Sequence, residues 1–140
     1  MYPEDDDKLY REMDVAEDGL PLVGPTNQTL GVRTGGRLYD IPVNEDETVE
    51  PRPPNERRGG MSVVPRTPMN LHEQHRPPEL GNGTGSYPVW YISKEDLGSL
   101  LVYQETSNSH GRLAPVRPMS LQEYENALAA TRERWTRVLG

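Results

Sequence analysis

Three polar residues are of types that bind anions or activate hydroxyl groups. Arg11 lies in a strand-like segment, where a guanidinium facing a cleft could clamp a phosphate or ribose through two parallel hydrogen bonds. Ser62 follows the pair Gly59 and Gly60 at a strand start, where glycines let a ligand approach the backbone. His110 follows a polar turn, and an imidazole can give or take a proton near neutral pH. Taken alone, each residue also fits an ordinary structural or surface role.

Two further motifs are weaker. Residues 72–75 (HEQH) resemble the His-Glu-x-x-His motif of zinc proteases, but the spacing is one residue short and two prolines follow. We therefore favour a polar loop there and predict no metal site. Residues 81–85 (GNGTG) have the spacing of a phosphate-binding loop. They lack the Lys-Ser/Thr ending and precede a strand rather than a helix, so we predict a turn.

Composition excludes several classes of protein. The chain has 140 residues, 33 % of them hydrophobic, with 14 Pro, 13 Gly and no Cys. Disulfides, thiolate metal sites and cysteine nucleophiles are therefore excluded. No run of 18 apolar residues predicts a membrane-spanning helix, and no apolar segment after Met1 predicts a cleaved signal peptide.

The negative charge is concentrated at the start of the chain. The formal charge is −7, and eight of the 22 acidic residues lie in the first 20 positions. An acidic chain is a poor general binder of nucleic acid. The acidic start is either a solvated surface or a docking surface for a basic partner. Residues 5–8 (DDDK) also resemble part of a protease-cleavage tag, so we expect residues 1–7 to lie outside a domain spanning 8–140.

The order of elements predicts an α+β fold, because strands and loops come first and a helix comes last. The long loops rich in Pro and Gly cover 19–36, 44–59 and 65–85. The predicted strands are 8–13, 37–43 (an edge strand, because of its proline), 61–64, 88–92, 99–104 and 112–116.

The last element is predicted as a helix over about residues 120–138. Ser120 and Glu123 have the spacing of a capping box. Apolar residues follow at near-helical spacing and form a stripe that would pack on the sheet. These residues are Leu121, Tyr124, Leu128, Trp135 and Val138.

Three segments in this order resemble a toxin family. They are residues 9–11 (LYR), residues 59–63 (GGMSV) and residues 110–119 (HGRLAPVRPM), which lead into the terminal helix. Gln104 also matches the pattern. The family comprises cytoplasm-acting type VI secretion effectors with an ADP-ribosyltransferase-like fold, and their relatives in other bacteria and in fungi. The resemblance covers roughly residues 8–138.

This resemblance implies a small split β-sandwich of the mono-ADP-ribosyltransferase type that binds NAD, as a substrate, between two sheets. It makes Arg11 the first-strand residue that holds the ribose or a phosphate, with Tyr10 beside it. Ser62 becomes the middle residue of the site, with the backbone of Gly59 and Gly60 close to the ligand.

The third position of the site departs from the family pattern. The superfamily usually has a Glu on a late strand, whereas the matching polar residues here are Gln104 and His110. These two would orient the ribose hydroxyls or the acceptor. Tyr87, Trp90 or Tyr91 could stack on the nicotinamide, although each is equally suited to a hydrophobic core.

Three functions remain open at this stage. The first is an NAD-dependent ADP-ribosyltransferase toxin, and the second is a toxin or interaction domain of the same fold that blocks a cytosolic target without turnover. The third is an immunity-type or adaptor protein, which the acidic start would suit. The resemblance implies a cytoplasmic location in producer and target cell, and delivery by a secretion machine without a cleaved signal. It also implies a cognate immunity protein over the cleft and an unidentified cellular acceptor.

Overall fold

A computed structural model describes residues 4–138. The longer strands are β1 (Asp5–Glu12), β3 (Met61–Arg66), β4 (Val89–Ser93), β5 (Leu101–Ser107) and β6 (His110–Pro115). Three two-residue strands are β2 (Thr48–Val49), β7 (Met119–Ser120) and β8 (Thr136–Arg137). The α-helix, α1, spans Leu121–Ala130. Short 3-10 turns form at Pro68–Asn70, Glu73–His75, Pro78–Leu80, Lys94–Asp96 and Arg132–Arg134.

Six strands form one sheet in the order β5-β6-β3-β1-β4-β8, and β2 pairs with β7 separately. The ladders between these strands are antiparallel. Within residues 4–138, the strand pairing that joins the halves β5-β6-β3 and β1-β4-β8 is the ladder between β1 and β3. That ladder pairs Leu9 with Pro65 and Tyr10 with Val64. The α+β class is confirmed, while the split sandwich stays a prediction.

The main core lies on one face of this sheet, under α1. It contains Leu9, Met61, Val63, Trp90, Ile92, Leu113, Tyr124 and Leu128, each at most 2 % exposed. A smaller core forms on the opposite face around Tyr10, Val64, Leu80 and Val89. Alternate residues of β1 therefore point to opposite faces, as a strand requires.

Two expected strands in the first third of the chain differ in the structure. β1 begins at Asp5 rather than at the predicted residue 8, so it includes the acidic residues 5–7, while the domain boundary at residue 8 stays a prediction. Residues 1–3 of the predicted N-terminal segment lie outside the described residues. The predicted edge strand over 37–43 is wrong. There, Asp40 N–H donates to the Arg33 carbonyl and the Asp40 carbonyl accepts from Gly60 N–H, so these groups serve loop contacts instead of a ladder.

The end of α1 corrects the predicted helix over 120–138. The cap is confirmed, because Ser120 Oγ accepts from Glu123 N–H at 3.0 Å. The helix stops at Ala130 and passes into the 3-10 turn Arg132–Arg134; at the junction the Thr131 hydroxyl donates to the Leu128 carbonyl at 2.7 Å. Trp135 then enters the core, where its Nε1 donates to Thr131 Oγ1 at 2.9 Å. The remaining residues pair as β8 with β4; the last two residues, 139 and 140, lie outside the described part.

The hydroxyl of Tyr124 ties α1 to the sheet at the start of β3. It accepts from Met61 N–H at 3.0 Å and donates to the Leu113 carbonyl at 2.6 Å. Met61 and Leu113 are paired residues of β3 and β6, so the phenol lies between their backbones. Burial raises the pKa of Tyr124 well above its ordinary value, which keeps the hydroxyl protonated and able to donate.

Replacing Tyr124 by Phe should lower the free energy of unfolding by about 2 kcal/mol, because a buried N–H and a buried carbonyl lose their partner together. Urea-induced unfolding measures the change. Tyr91→Phe is the matched control, since its half-buried ring contacts Lys8 and Tyr10 rather than the core backbone. Equal midpoints for the two variants would contradict this role of Tyr124.

Within residues 4–138, no helix is both long enough and apolar enough to span a membrane.

Candidate functional site

The strands β1 and β3 separate beyond Tyr10 and Val64, and Arg11 spans the gap. Among the described residues the ladder has no further pair on the Arg11 side. The Arg11 Nη1 donates to the Ser62 carbonyl at 2.8 Å. Nε and Nη2 donate to the Thr29 carbonyl at 3.1 and 2.8 Å, and Nη2 also reaches the Thr26 carbonyl at 3.1 Å. Arg11 thus connects β1 to β3 and to the loop that contains Thr26 and Thr29.

Arg11 is 4 % exposed, and the burial of its guanidinium has an electrostatic consequence. Burial lowers the pKa of Arg11 to about 10, and the nearby Asp40 opposes that shift. Arg11 remains charged at neutral pH. Its positive charge is shared among three carbonyl dipoles, which leaves it less available to a ligand than the sequence predicts.

A small cavity of about 140 Å³ lies at the gap between the strands. Arg11 and Ser62 both line it, so the two predicted residues do converge on one hollow. Glu12 and His75, which the sequence analysis did not assign to the site, also line this small cavity. The remaining lining residues are Asn27, Arg33, Val63, Val64 and Leu71.

A larger cavity of about 630 Å³ adjoins the small one, because Ser62 and Arg33 line both. Cavities that hold organic ligands typically measure about 300–1,000 Å³. Its charged lining is four arginines against two acids, although the whole chain carries −7. The charged residues are Arg33, Arg57, Arg58, Arg112, Asp40 and Glu56.

Most of these charges are already paired. Arg33 forms a bidentate pair with Asp40, with Nη2–Oδ1 at 2.8 Å and Nε–Oδ2 at 3.2 Å. That hydrogen bonding raises the pKa of Arg33. The carboxylate of Glu56 is bidentate to Arg52, at 2.7 and 3.0 Å, which lowers the pKa of Glu56. These pairs fix the wall of the large cavity without leaving a free charge.

Arg57 and Arg58 carry the available positive charge. Arg57 is exposed, and Arg58 is half-buried with its guanidinium carbon 4.2 Å from the centre of the Tyr39 ring. Neither forms an ion pair within the described part of the chain. A guanidinium fork stacked on an aromatic ring is well suited to bind phosphate groups.

Arg112 positions the loop that carries this arginine pair. From β6, its Nη1 donates to the Glu56 carbonyl at 2.6 Å and its Nη2 to the Pro53 carbonyl at 2.9 Å. Its Nε donates to Gln104 Oε1 at 2.7 Å, and Gln104 Nε2 donates to the Arg52 carbonyl at 2.8 Å. Burial lowers the pKa of Arg112. Gln104 thus supports the wall of the large cavity and does not line it.

The pair Gly59 and Gly60 serves the chain's own packing. A Cβ at Gly59 would lie 2.7 Å from the guanidinium carbon of Arg112. A Cβ at Gly60 would lie 2.3 Å from the carbonyl oxygen of Leu113 and 3.1 Å from the Tyr124 hydroxyl. The sequence analysis predicted that a ligand approaches the backbone of both glycines, but protein atoms fill that space. Gly60 still lines the large cavity.

The predicted site residues fall into three groups. Ser62 and His110 line the large cavity, with Ser62 exposed and His110 Nδ1 lying 3.0 Å from Ser109 Oγ. Arg11 lines only the small cavity. Tyr10 and Gln104 line neither, because Tyr10 packs into the smaller core and Gln104 contacts Arg112.

Tyr87, Trp90 and Tyr91, which the sequence analysis considered for stacking on the nicotinamide, line neither the large nor the small cavity. Trp90 is 2 % exposed in the main core and donates to the Met13 carbonyl at 2.9 Å, so its core role is the observed one. Tyr91 packs against Tyr10, with ring centres 6.1 Å apart. Tyr87 lines a third cavity of about 460 Å³ near β8. Tyr39 is the aromatic ring at the large cavity.

A sequence signal for Arg57 and Arg58 existed, since this basic pair directly precedes Gly59 in an otherwise acidic loop. No comparable signal marks Glu12, because its partner His75 is 63 positions away. The histidines of the 72–75 motif are engaged separately, with His72 Nδ1 accepting from Gln74 N–H at 3.2 Å. Over residues 4–138, no group of three potential metal ligands converges.

Comparison with models of protein families identifies the family of this chain. A family model described as Tse2 ADP-ribosyltransferase toxin matches residues 7–138, nearly the whole chain. No curated protein and no solved structure matches.

Proposed function

Because this chain belongs to the Tse2 ADP-ribosyltransferase toxin family, we propose that it binds NAD in the two joined cavities and transfers ADP-ribose to a molecule of a target cell. The large cavity holds the adenylate and pyrophosphate, and the small cavity holds the nicotinamide ribose. The observation that carries this assignment is the free arginine pair, Arg57 and Arg58, on the wall of the large cavity.

The charges favour a dinucleotide in this orientation. A pyrophosphate brings two negative charges, and Arg57 and Arg58 bring two positive charges that have no acidic partner within residues 4–138. Charge-assisted hydrogen bonds of this kind are about twice as strong as neutral ones. Tyr39 gives the adenine or the guanidinium a flat surface for stacking.

The exposed Ser62 hydroxyl lies where the two cavities meet, within reach of the ribose hydroxyls of a nucleotide that spans both. The bond from the nicotinamide nitrogen to ribose C1′ breaks, and its electron pair leaves with neutral nicotinamide. The ribose then has oxocarbenium character, as in glycoside cleavage. A nucleophile of the acceptor supplies the electron pair for the new bond at C1′, and its proton passes to solvent. His110, at the rim of the large cavity, would orient that acceptor.

The proposal includes an immunity protein in the producer cell and a secretion machine that delivers the toxin. A producer cell needs a cognate immunity protein, and covering the large cavity would block both the arginine pair and Ser62. We propose that the toxin acts in the cytosol of the target cell after delivery by a type VI secretion machine.

A second candidate is an NAD-binding or target-blocking toxin without turnover. The observation that favours it is β6, which carries no acidic residue from His110 to Pro115, whereas the superfamily uses a late-strand Glu. Nicotinamide release from NAD separates the two candidates. Wild-type protein in cell extract should release nicotinamide and transfer labelled ADP-ribose to a macromolecule. Toxicity without release would favour the second candidate.

Replacing Ser62 by Ala should lower NAD turnover about tenfold, the effect of losing one or two hydrogen bonds to the nucleotide. The free energy of unfolding should stay within about 0.5 kcal/mol of wild type, because the side chain is exposed. Nicotinamide release and urea unfolding measure the two quantities. Ser99→Ala, at an exposed turn, is the control. Wild-type turnover in the Ser62 variant would remove this residue from the proposed site.

A further inference from the structure

Glu12 is a buried carboxylate whose two oxygens are unequally satisfied. Its side chain is 2 % exposed, yet it lies at the end of β1 next to Arg11. Oε1 accepts from His75 Nδ1 at 2.9 Å and from Gln28 Nε2 at 3.5 Å. Oε2 is buried, and none of the described residues donates to it. A buried polar atom without a partner in a folded protein calls for an explanation, and a catalytic role is one such explanation.

The surroundings of Glu12 place it between a loop and the small cavity. A Cβ at Gly85 would lie 2.9 Å from Oε2, so this loop glycine covers one side of the carboxylate. Glu12 and His75 also line the small cavity, together with Ser62. A negative charge shielded from bulk water acts more strongly on a neighbouring positive charge than an exposed one.

We propose that Glu12, oriented by His75, is the catalytic carboxylate that faces the nicotinamide ribose in the small cavity. This inference rests on the proposed function. The acid that β6 lacks is then supplied by the first strand, immediately after Arg11. As the C1′–nitrogen bond breaks and its electron pair leaves with nicotinamide, the carboxylate stabilises the positive charge left on the ribose. Glu12 itself exchanges no atom with the substrate.

The test compares Glu12→Gln with wild type in two assays. Nicotinamide release from NAD should fall at least tenfold, because the amide keeps the shape and loses the charge. The dissociation constant for carba-NAD, an analogue that resists cleavage, should stay within threefold, because the charge acts on the transition state. Glu73→Gln, an exposed acid two residues before His75, should match wild type in both assays. A merely structural role would alter both quantities or the unfolding midpoint.

The outcomes separate this inference from the proposed function. If Glu12→Gln releases nicotinamide as fast as wild type, the inference is overturned and the proposed function stands. The same follows if the variant loses carba-NAD affinity and turnover by equal factors. A wild-type protein that neither binds carba-NAD nor cleaves NAD overturns both. If Glu12→Gln does not fold, the side-chain carboxyl ¹³C resonance of Glu12 in wild type decides. It should move when carba-NAD saturates the protein, and an unmoved resonance contradicts the placement.

Discussion

Arg11→Ala should unfold far more easily than wild type, with a loss of about 3 kcal/mol or more in the free energy of unfolding. The substitution removes the donor from the carbonyls of Thr26, Thr29 and Ser62 where β1 and β3 part. Unsatisfied buried acceptors each cost about 1–3 kcal/mol. For a domain of this size the melting temperature should fall by about 10 °C. Differential scanning calorimetry measures it.

Arg11→Lys distinguishes geometry from charge. An ammonium keeps the positive charge but cannot span three carbonyls with a rigid fork, so most of the stability should still be lost. Arg37→Ala, at an exposed position, should melt with wild type. An Arg11→Ala variant melting within about 2 °C of wild type would contradict this structural role. Loss of toxicity in Arg11 variants would report lost folding before it reports lost NAD binding.

The double variant Arg57→Ala with Arg58→Ala should bind carba-NAD about 100-fold more weakly. Each charge-assisted hydrogen bond to the pyrophosphate contributes about 1.5 kcal/mol or more, and 1.4 kcal/mol is tenfold in affinity. The free energy of unfolding should change little, since neither arginine forms an ion pair within residues 4–138. Isothermal titration calorimetry measures the affinity.

The control is Lys94→Ala with Arg117→Ala, which removes the same net charge from exposed positions outside the cavities. Its affinity should lie within threefold of wild type. Wild-type affinity should also weaken as salt rises, because the contact is electrostatic. An arginine-pair variant that binds as tightly as wild type would place the pyrophosphate elsewhere.

Local patterns predicted the parts of the fold that depend on neighbouring residues. The strand predicted over 61–64 is observed as Met61–Arg66, and the cap predicted at Ser120 from the Ser-x-x-Glu spacing is confirmed. The predicted helix end was wrong, because Trp135 continues the apolar stripe in the sequence while the chain after Ala130 passes into the 3-10 turn Arg132–Arg134. The burial of Trp135 in the main core and the pairing of β8 with β4 overrode a valid local pattern there.

The candidate site was predictable in its residue types and less so in its roles. Ser62 and Arg11 line one cavity, as predicted. The guanidinium of Arg11, however, donates to backbone carbonyls of Thr26, Thr29 and Ser62, and these contacts could not be read from the sequence. Gln104 matched the family pattern and turned out to hold Arg112. The pair of Glu12 and His75 depends on a contact across 63 positions, which only the folded chain brings together.

A crystal structure of this chain with carba-NAD tests the central claim most directly. The account predicts the pyrophosphate against Arg57 and Arg58 and the nicotinamide ribose in the small cavity, within hydrogen-bond distance of Ser62. Carba-NAD bound away from both cavities, or no density for it at saturating concentration, would contradict the account.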